Sequence, residues 1–295
     1  MTEQQTPKPI STQKRSPVGF GPIAGATYPF RALMLLIKTP KLLQYVAIPI
    51  FVNVVTGILL YVGLLFPGLN AIDALVQSLS GWIEGLIANL PAWLGALTIL
   101  AVAIGWLLRF VLVAGLLILI GFLVVQIGGI LGAPWYGQLS EQIEKQRTGQ
   151  LPPMSQGVGA LIRDIWRAIL FEVKKLVFAG AIGIVLFLLN FFIPIAGTVV
   201  ATIIGVAVAA TIVCLDFLDG PLERRRLSFR KKLGIVFGNL PASGSFALVC
   251  LFLISVPVIN LLVIPICVAS GSLFFCDRIW PKWVENEQEQ KTEQG

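Results

Sequence analysis

The sequence predicts an all-α integral membrane protein, with two long transmembrane helices, two helical hairpins that partly or fully penetrate the bilayer, and amphipathic inner and outer helices. Three observations carry that reading. Of 295 residues, 56% are hydrophobic and only 13% are charged, and mean hydropathy is +0.87, whereas a soluble domain carries about a quarter of its residues as charges. Several apolar runs reach or exceed the about 20 residues that cross a bilayer as a helix. Lysine and arginine, finally, are sorted along the chain rather than scattered.

Residues 1–20 are rich in Thr, Gln, Pro and Lys, too poor in apolar groups to pack, and read as a disordered cytosolic tail. Residues 21–280 read as one helical membrane domain and 281–295 as a polar tail. The first apolar run, Leu42 to Phe66, is about twice the length of a signal-peptide core and follows a long polar or mixed stretch, so it reads as a crossing helix. In 72–90, Ile72, Leu75, Val76, Leu79, Trp82, Ile83, Leu86, Ile87 and Leu90 share one helical stripe. Asp73, Gln77, Ser80 and Glu84 lie off it, the pattern of a helix flat on the outer membrane face or packed on the protein's outer rim, ended by Pro91. From Trp93 to Ala133 the chain is apolar for about twice one span. It predicts one long helix bent at its glycines, with 110–131 as the crossing.

The inner segment 135–176 offers two amphipathic helices. The first sets Trp135, Leu139 and Ile143 against Glu141, Glu144, Lys145 and Arg147. The second sets Leu161, Ile165, Trp166, Ile169, Leu170 and Val173 against Arg163, Asp164, Arg167, Glu172 and Lys174. TGQLPPMSQG is the loop between them. An apolar stretch then turns near Asn190 to Gly197, and another near Pro257 to Asn260.

The 22 Lys and Arg residues fall before the first apolar run (Lys8, Lys14, Arg15, Arg31, Lys38, Lys41), at Arg109, in 134–175, in 216–234, and after 277. None lies in 67–96. Cytoplasmic segments collect Lys and Arg, so both termini, 134–175 and 216–234 are expected inside and 67–96 outside. The apolar stretches 176–215 and 235–275 must therefore go in and come back on the same side. The arm from Gly244 to Val256 is short for a full crossing, so the second hairpin reads as re-entrant, whereas the first has arms that span or half-span.

Arg224, Arg225, Arg226, Arg230, Lys231 and Lys232 crowd one turn. Asp219-Gly220-Pro221-Leu222 reads as a turn and Ser228 as the N-cap of a helix beginning at Phe229. The free amides there, with Arg224, Arg225, Arg226 and Arg230, would cradle a tetrahedral oxyanion. The other reading is a solvated basic face or contact with anionic lipid headgroups, and Asp216, Asp219 and Glu223 are placed to neutralise part of the cluster. Arg109, alone in an apolar run, would draw in an anion, pair with Asp73 or Glu84, or snorkel to the interface. Asn53, Gln126, Asn190 and Asn260 would line a path or bond between helices. Gly128 and Gly132 form a small-residue spacing that lets helices approach.

The exclusions are chemical. There is no histidine, which removes the usual zinc sites and histidine acid–base chemistry. Cys214, Cys250, Cys267 and Cys276 have no paired spacing and read as buried thiols, with no metal site. No P-loop lysine follows a glycine cluster. Neither a cofactor, an enzymatic centre nor a nucleic-acid partner is expected.

The stretch LDFLDGPLERRRLSFRKKLG (215–234), followed by VPVINLLVIPICVASGSLFF (256–275), resembles the CysZ-type sulfate permeases and the wider etoposide-induced-protein-like membrane family. Asp219, Pro221, Arg224, Leu227, Ser228, Phe229 and Arg230 match its turn, and Pro257, Asn260, Leu261 and Pro265 match its hairpin. Pro40, Leu42, Pro49 and Asn53 match its first-helix entry, and Ala133, Pro134, Leu139, Ser140, Glu141 and Glu144 its inner segment. The resemblance implies two long crossing helices, two partly inserted hairpins, a homo-oligomer and sulfate uptake without ATP hydrolysis across the inner membrane. Sulfate-transporting members carry paired arginines where this chain has Leu43 and Gln44, which turns attention to Lys38, Lys41, Arg224, Arg225, Ser228 and Arg230 for anion binding. Arg109, Asn53 and Asn260 are the candidates along a permeation path. A structural protein that organises lipid or partner proteins is the alternative.

Overall fold

The computed structural model describes residues 21–87, 96–152 and 158–284, and their regular structure is helical, without a strand among them. The expected tail 1–20, most of the expected tail 281–295, Pro91 and residues 153–157 of the inner loop lie outside the described residues. Ten α-helices follow in chain order: α1 Pro22–Ala26, α2 Tyr28–Lys38, α3 Pro40–Leu60, α4 Phe66–Ile87, α5 Ala96–Thr148, α6 Val158–Phe192, α7 Pro194–Arg224, α8 Phe229–Gly238, α9 Ala242–Ile254 and α10 Pro257–Phe274. They group into two compact units, 44–136 and the remainder.

In the unit 44–136, α4 is not a separate outer helix. A π turn, Tyr61–Leu65, joins it to α3. Pro67 has no amide hydrogen for the carbonyl of Gly63, and a wider turn absorbs that loss without ending the helix. Residues Pro40–Gly85 are thus long and apolar enough to cross a membrane, as are Val102–Thr148, matching the two long helices expected. Small residues set their antiparallel register. A Cβ on Gly128 would lie 3.0 Å from Asn53 Oδ1, one on Gly57 3.7 Å from Val124, one on Gly68 2.6 Å from Leu116, and one on Gly105 3.7 Å from the Ser80 hydroxyl. Such positions let backbones close on one another where lipid provides no hydrophobic drive for helices to associate.

The expected inner helices are not free-standing either. The first is the end of the 53-residue α5, which runs on through Pro134, and the second begins the 35-residue α6. Helix α6 turns at Ile193 into α7, whose first residue is Pro194, where the first hairpin was expected to turn. A proline is favoured at the start of a helix because its missing donor would be unpaired there.

The second unit is centred on α10, whose most apolar window is 67% buried against 6% and 22% for those of α6 and α7. Tyr28, Phe246 and Phe274 form its aromatic centre, with ring centroids 5.0 and 5.4 Å from Phe274. The predicted turn at Asp219–Leu222 is corrected: α7 continues through Pro221 to Arg224, and the chain turns over Arg225–Leu227 instead. Pro221 strands the Phe217 carbonyl, and Gly271 of α10 closes on that same oxygen, where any Cβ would overlap it. Helix α8 then meets α9 at a bend of 103°, and α9 breaks at Ser255–Val256 into α10.

Candidate functional site

The basic turn divides into three environments. Arg224 and Arg225 point into the protein. Glu144, fully buried on α5, accepts Arg224 Nε at 3.0 Å and Nη2 at 2.6 Å, while Arg225 Nη2 lies 2.7 Å from its other oxygen as an ion pair off the hydrogen-bond line. Arg224 Nη2 also donates to Ser140 Oγ, which accepts from Ser272 Oγ as well, at 2.9 and 2.8 Å. Gly220 makes room for Ser140, since a Cβ there would stand 2.6 Å from the hydroxyl. Arg225 is further held between Phe275 and Trp280, 4.4 and 4.8 Å from their ring centres, with Nη1 donating to the Pro221 carbonyl. The π turn Phe275–Ile279 after α10 presents both Phe275 and Asp277, the latter pairing with Arg31 at 3.0 Å. Beside that pair, burial pushes the Tyr28 phenol above its ordinary range, with Asp277 adding to the shift and Arg31 opposing it.

Lys232 forms the second environment. It is 1% exposed, donates to Asp219 and Glu223 at 2.6 Å each, and lies 4.0 Å from the centre of the Phe171 ring. Glu223 also accepts Arg167 Nε at 3.1 Å. One turn deeper, Lys175 pairs with Asp216 and Glu172. A charge this deep persists only when paired and hydrogen-bonded. The expectation that acidic neighbours neutralise part of the cluster matches the geometry at Asp219 and Glu223, which hold Lys232, whereas Asp216 pairs with Lys175 outside the cluster.

The third environment is open. A cavity of about 210 Å³ lies at the start of α8, lined by Arg167 and Lys174 of α6 and by Glu223, Arg226, Ser228 and Lys232 among others. Ser228 sits at the N-cap with extended backbone, and its side chain makes no capping bond. The first amides of α8 have no helical acceptor and face outward from its N-terminus. Arg226 occupies the left-handed region at φ 52°, a position glycine usually takes at the end of a helix. It pairs with Asp164 at 3.1 Å.

Of the residues singled out from sequence for an anion cradle, Ser228 and Arg226 line this cavity, whereas Arg224, Arg225 and Arg230 do not. Arg230 is exposed without an ion pair among the described residues. Lys38 ends α2 and Lys41 begins α3, both exposed, and no ion pair joins either to the cluster. In the other unit, Arg109 pairs with Asp73 at 2.9 Å, one of the three readings offered for it, and lies 6.0 Å from the Trp106 ring centre. Asn53 is 3% exposed, faces Gly128 and touches the Tyr136 hydroxyl, its Oδ1 otherwise without a partner. Asn260 lies in the first turns of α10 with its Oδ1 likewise unpaired.

Sequence reasoning placed Glu144 on the charged face of the first inner helix, opposite Leu139 and Ile143, and missed Arg167, Lys174 and Lys232 as cavity residues. The signal for Glu144 was present: Ser140 and Glu144 repeat at the same spacing as the buried Leu139 and Ile143, one position round the helix.

The family model described as Sulfate transporter CysZ/Etoposide-induced protein 2.4 matches residues 28–265. The chain is similar to the sulfate transporter CysZ of Pectobacterium atrosepticum, at 30% identity over 82% of this chain and 81% of that protein. It is also similar to those of Pseudomonas fluorescens, at 28% over 86% and 93%, and Salmonella typhimurium, at 26% over 82% and 88%.

Proposed function

The chain belongs to the sulfate transporter CysZ/etoposide-induced protein 2.4 family, and on that premise we propose that it is a sulfate permease of the inner membrane, working without ATP hydrolysis. Both termini lie in the cytoplasm, the protein assembles as a homo-oligomer, and its basic inner surface meets anionic lipid headgroups. The names of its relatives, sulfate transporters in several bacteria, favour this over a scaffolding role.

The observation that carries the reading at residue level is the cavity at the start of α8. Sulfate is a tetrahedral dianion, and shedding part of its water requires several N–H and O–H donors at once. The cavity offers the α8 amides, the Ser228 hydroxyl, Lys174, Arg226 and Arg167. Its positive charge is moderate, because Glu223, Asp164 and Asp219 already engage Arg167, Arg226 and Lys232. A permeating ion must be held well enough to enter and loosely enough to leave. Arg224 and Arg225, locked on Glu144, support the cavity wall rather than the ion. Arg109, paired with Asp73, and the amides of Asn53 and Asn260 are the polar groups proposed along the route.

Uptake of radiolabelled sulfate into proteoliposomes, with no nucleotide present, tests the function. Arg226→Gly tests the site: glycine suits the left-handed turn, so the fold is kept while one charged donor is lost. Uptake is expected to fall about tenfold with no loss of thermal stability. Unchanged uptake by this variant removes the cavity from the path, and absence of uptake by the native protein removes the permease reading.

A further inference from the structure

A second cavity, of about 510 Å³, opens between α7 and α9 beneath the end of α8, and it differs from the first in kind. Its walls are made of small or aliphatic side chains, among them Val206, Ala207, Ala210, Gly244 and Ala247. The hydroxyls in it are turned away: Thr202 donates to the Thr198 carbonyl, Thr211 to that of Ala207 and Ser243 to that of Val236. The cavity therefore presents almost no polar atom, and its size falls within the range of small-molecule sites. A chain of methylene groups satisfies such walls, whereas a hydrated ion does not.

The mouth is cationic. At the α8–α9 corner, Lys282 Nζ donates to Asn239 Oδ1 at 3.3 Å, and Asn239 immediately precedes Leu240, which lines the groove. Arg230 and Lys231 on α8 are exposed and bear no ion pair among the described residues. Arg230 lies on the same helical face as the groove residue Phe237, two turns away. No acidic residue lines the groove. The 103° bend between α8 and α9 supplies the depth relation: with α9 directed into the bilayer, α8 runs along its surface, so the cations stand at headgroup level and the groove below them.

We infer that this groove binds one acyl chain of an anionic phospholipid, whose phosphate rests at Lys282 and Asn239 within the positive field of Arg230 and Lys231. The site is separate from the sulfate cavity, and it requires membrane embedding but no particular transported ion.

Native mass spectrometry of the purified full-length protein in mild detergent tests it, by titration with palmitoyl-oleoyl phosphatidylglycerol and with phosphatidylcholine of the same chains. The first bound phosphatidylglycerol is expected to be held at least about fivefold more tightly than phosphatidylcholine, the scale of one surface cation. The triple variant Arg230→Gln, Lys231→Gln, Lys282→Gln should abolish that preference. Ala207→Trp, on the exposed wall of the groove, should weaken the first phosphatidylglycerol by a similar factor, and Val206→Trp serves if that variant does not fold. Equal affinity for the two lipids in the native protein overturns the proposal. So does unchanged phosphatidylglycerol affinity with the groove filled, or a dimer that dissociates on filling it, which would give the groove to a second copy of the chain. Soluble glycerol phosphate binding as tightly as the lipid would also overturn it. Because the readout involves no flux, failure here and failure of the permease reading are distinguishable.

Discussion

Glu144 shows how a single carboxylate can decide the state of two cations. It is wholly buried between Arg224 and Arg225, so replacing it with glutamine leaves two guanidinium groups in the interior facing a neutral amide. Breaking a buried ion pair from one side costs about 3–5 kcal/mol, and Glu144→Gln is expected to lower thermal stability accordingly in detergent. The half-exposed pair of Arg109 and Asp73, with side chains 46% and 41% exposed, behaves differently, because neither charge is left buried when its partner is lost. Asp73→Asn should change stability by less than about 1 kcal/mol, as measured in the same melts. The residues most readable from sequence were those whose role is local, such as Ser228 at the start of α8. Glu144 was not, because its role depends on α7 and α10 arriving opposite it, and a helical wheel drawn on α5 alone contains neither.

Helix contacts in this protein depend on glycines used in two distinct ways. Gly271 and Gly25 are pressed against the carbonyls of Phe217 and Ala242, with no room for a Cβ, while Gly180 and Gly183 of α6 face open space. Gly271→Ala must push α10 off α7, and is expected to cost at least about 1–3 kcal/mol, the usual range for overpacking. Gly180→Ala removes only a backbone-entropy penalty and should raise stability by up to about 1 kcal/mol. Thermal melts of the two variants check the contrast, and equal losses would refute it. Helix ends were harder to foresee than helices. Pro221 read as part of a turn, yet α7 runs through it, with Gly271 of α10 packed on the carbonyl that the proline abandons. The hairpin tips at Ile193 and Val256 were legible because Pro194 and Pro257 each open the next helix, where a proline is favoured.

Over the whole chain, the sorting of charge agrees with the way the first hairpin is tied. Residues 176–192 and 194–215 carry no charge, which amounts to about 26 and 33 Å of helix. Below them Lys175, Arg167 and Asp164 on α6 pair with Asp216, Glu223 and Arg226 at the end of α7 and just beyond. The arms are thus clamped at the charged end and uncharged for roughly the thickness of the hydrocarbon core. By contrast α9 has only 13 residues, about 20 Å, in keeping with an arm that stops within the bilayer. The orientation has a direct check, helped by the burial of all four native cysteines. In spheroplasts, an impermeant maleimide should label Gln77→Cys from outside and Lys231→Cys only after permeabilisation. The opposite pattern would reverse the proposed topology.

Arg226 carries a consequence for anyone engineering this protein. An arginine at φ 52° costs about 1 kcal/mol relative to glycine, so a search for heat-resistant variants will tend to return Arg226→Gly among its winners. By the mechanism proposed above, those survivors would be robust and slow, and selection for durability alone would discard the property that makes the turn worth keeping.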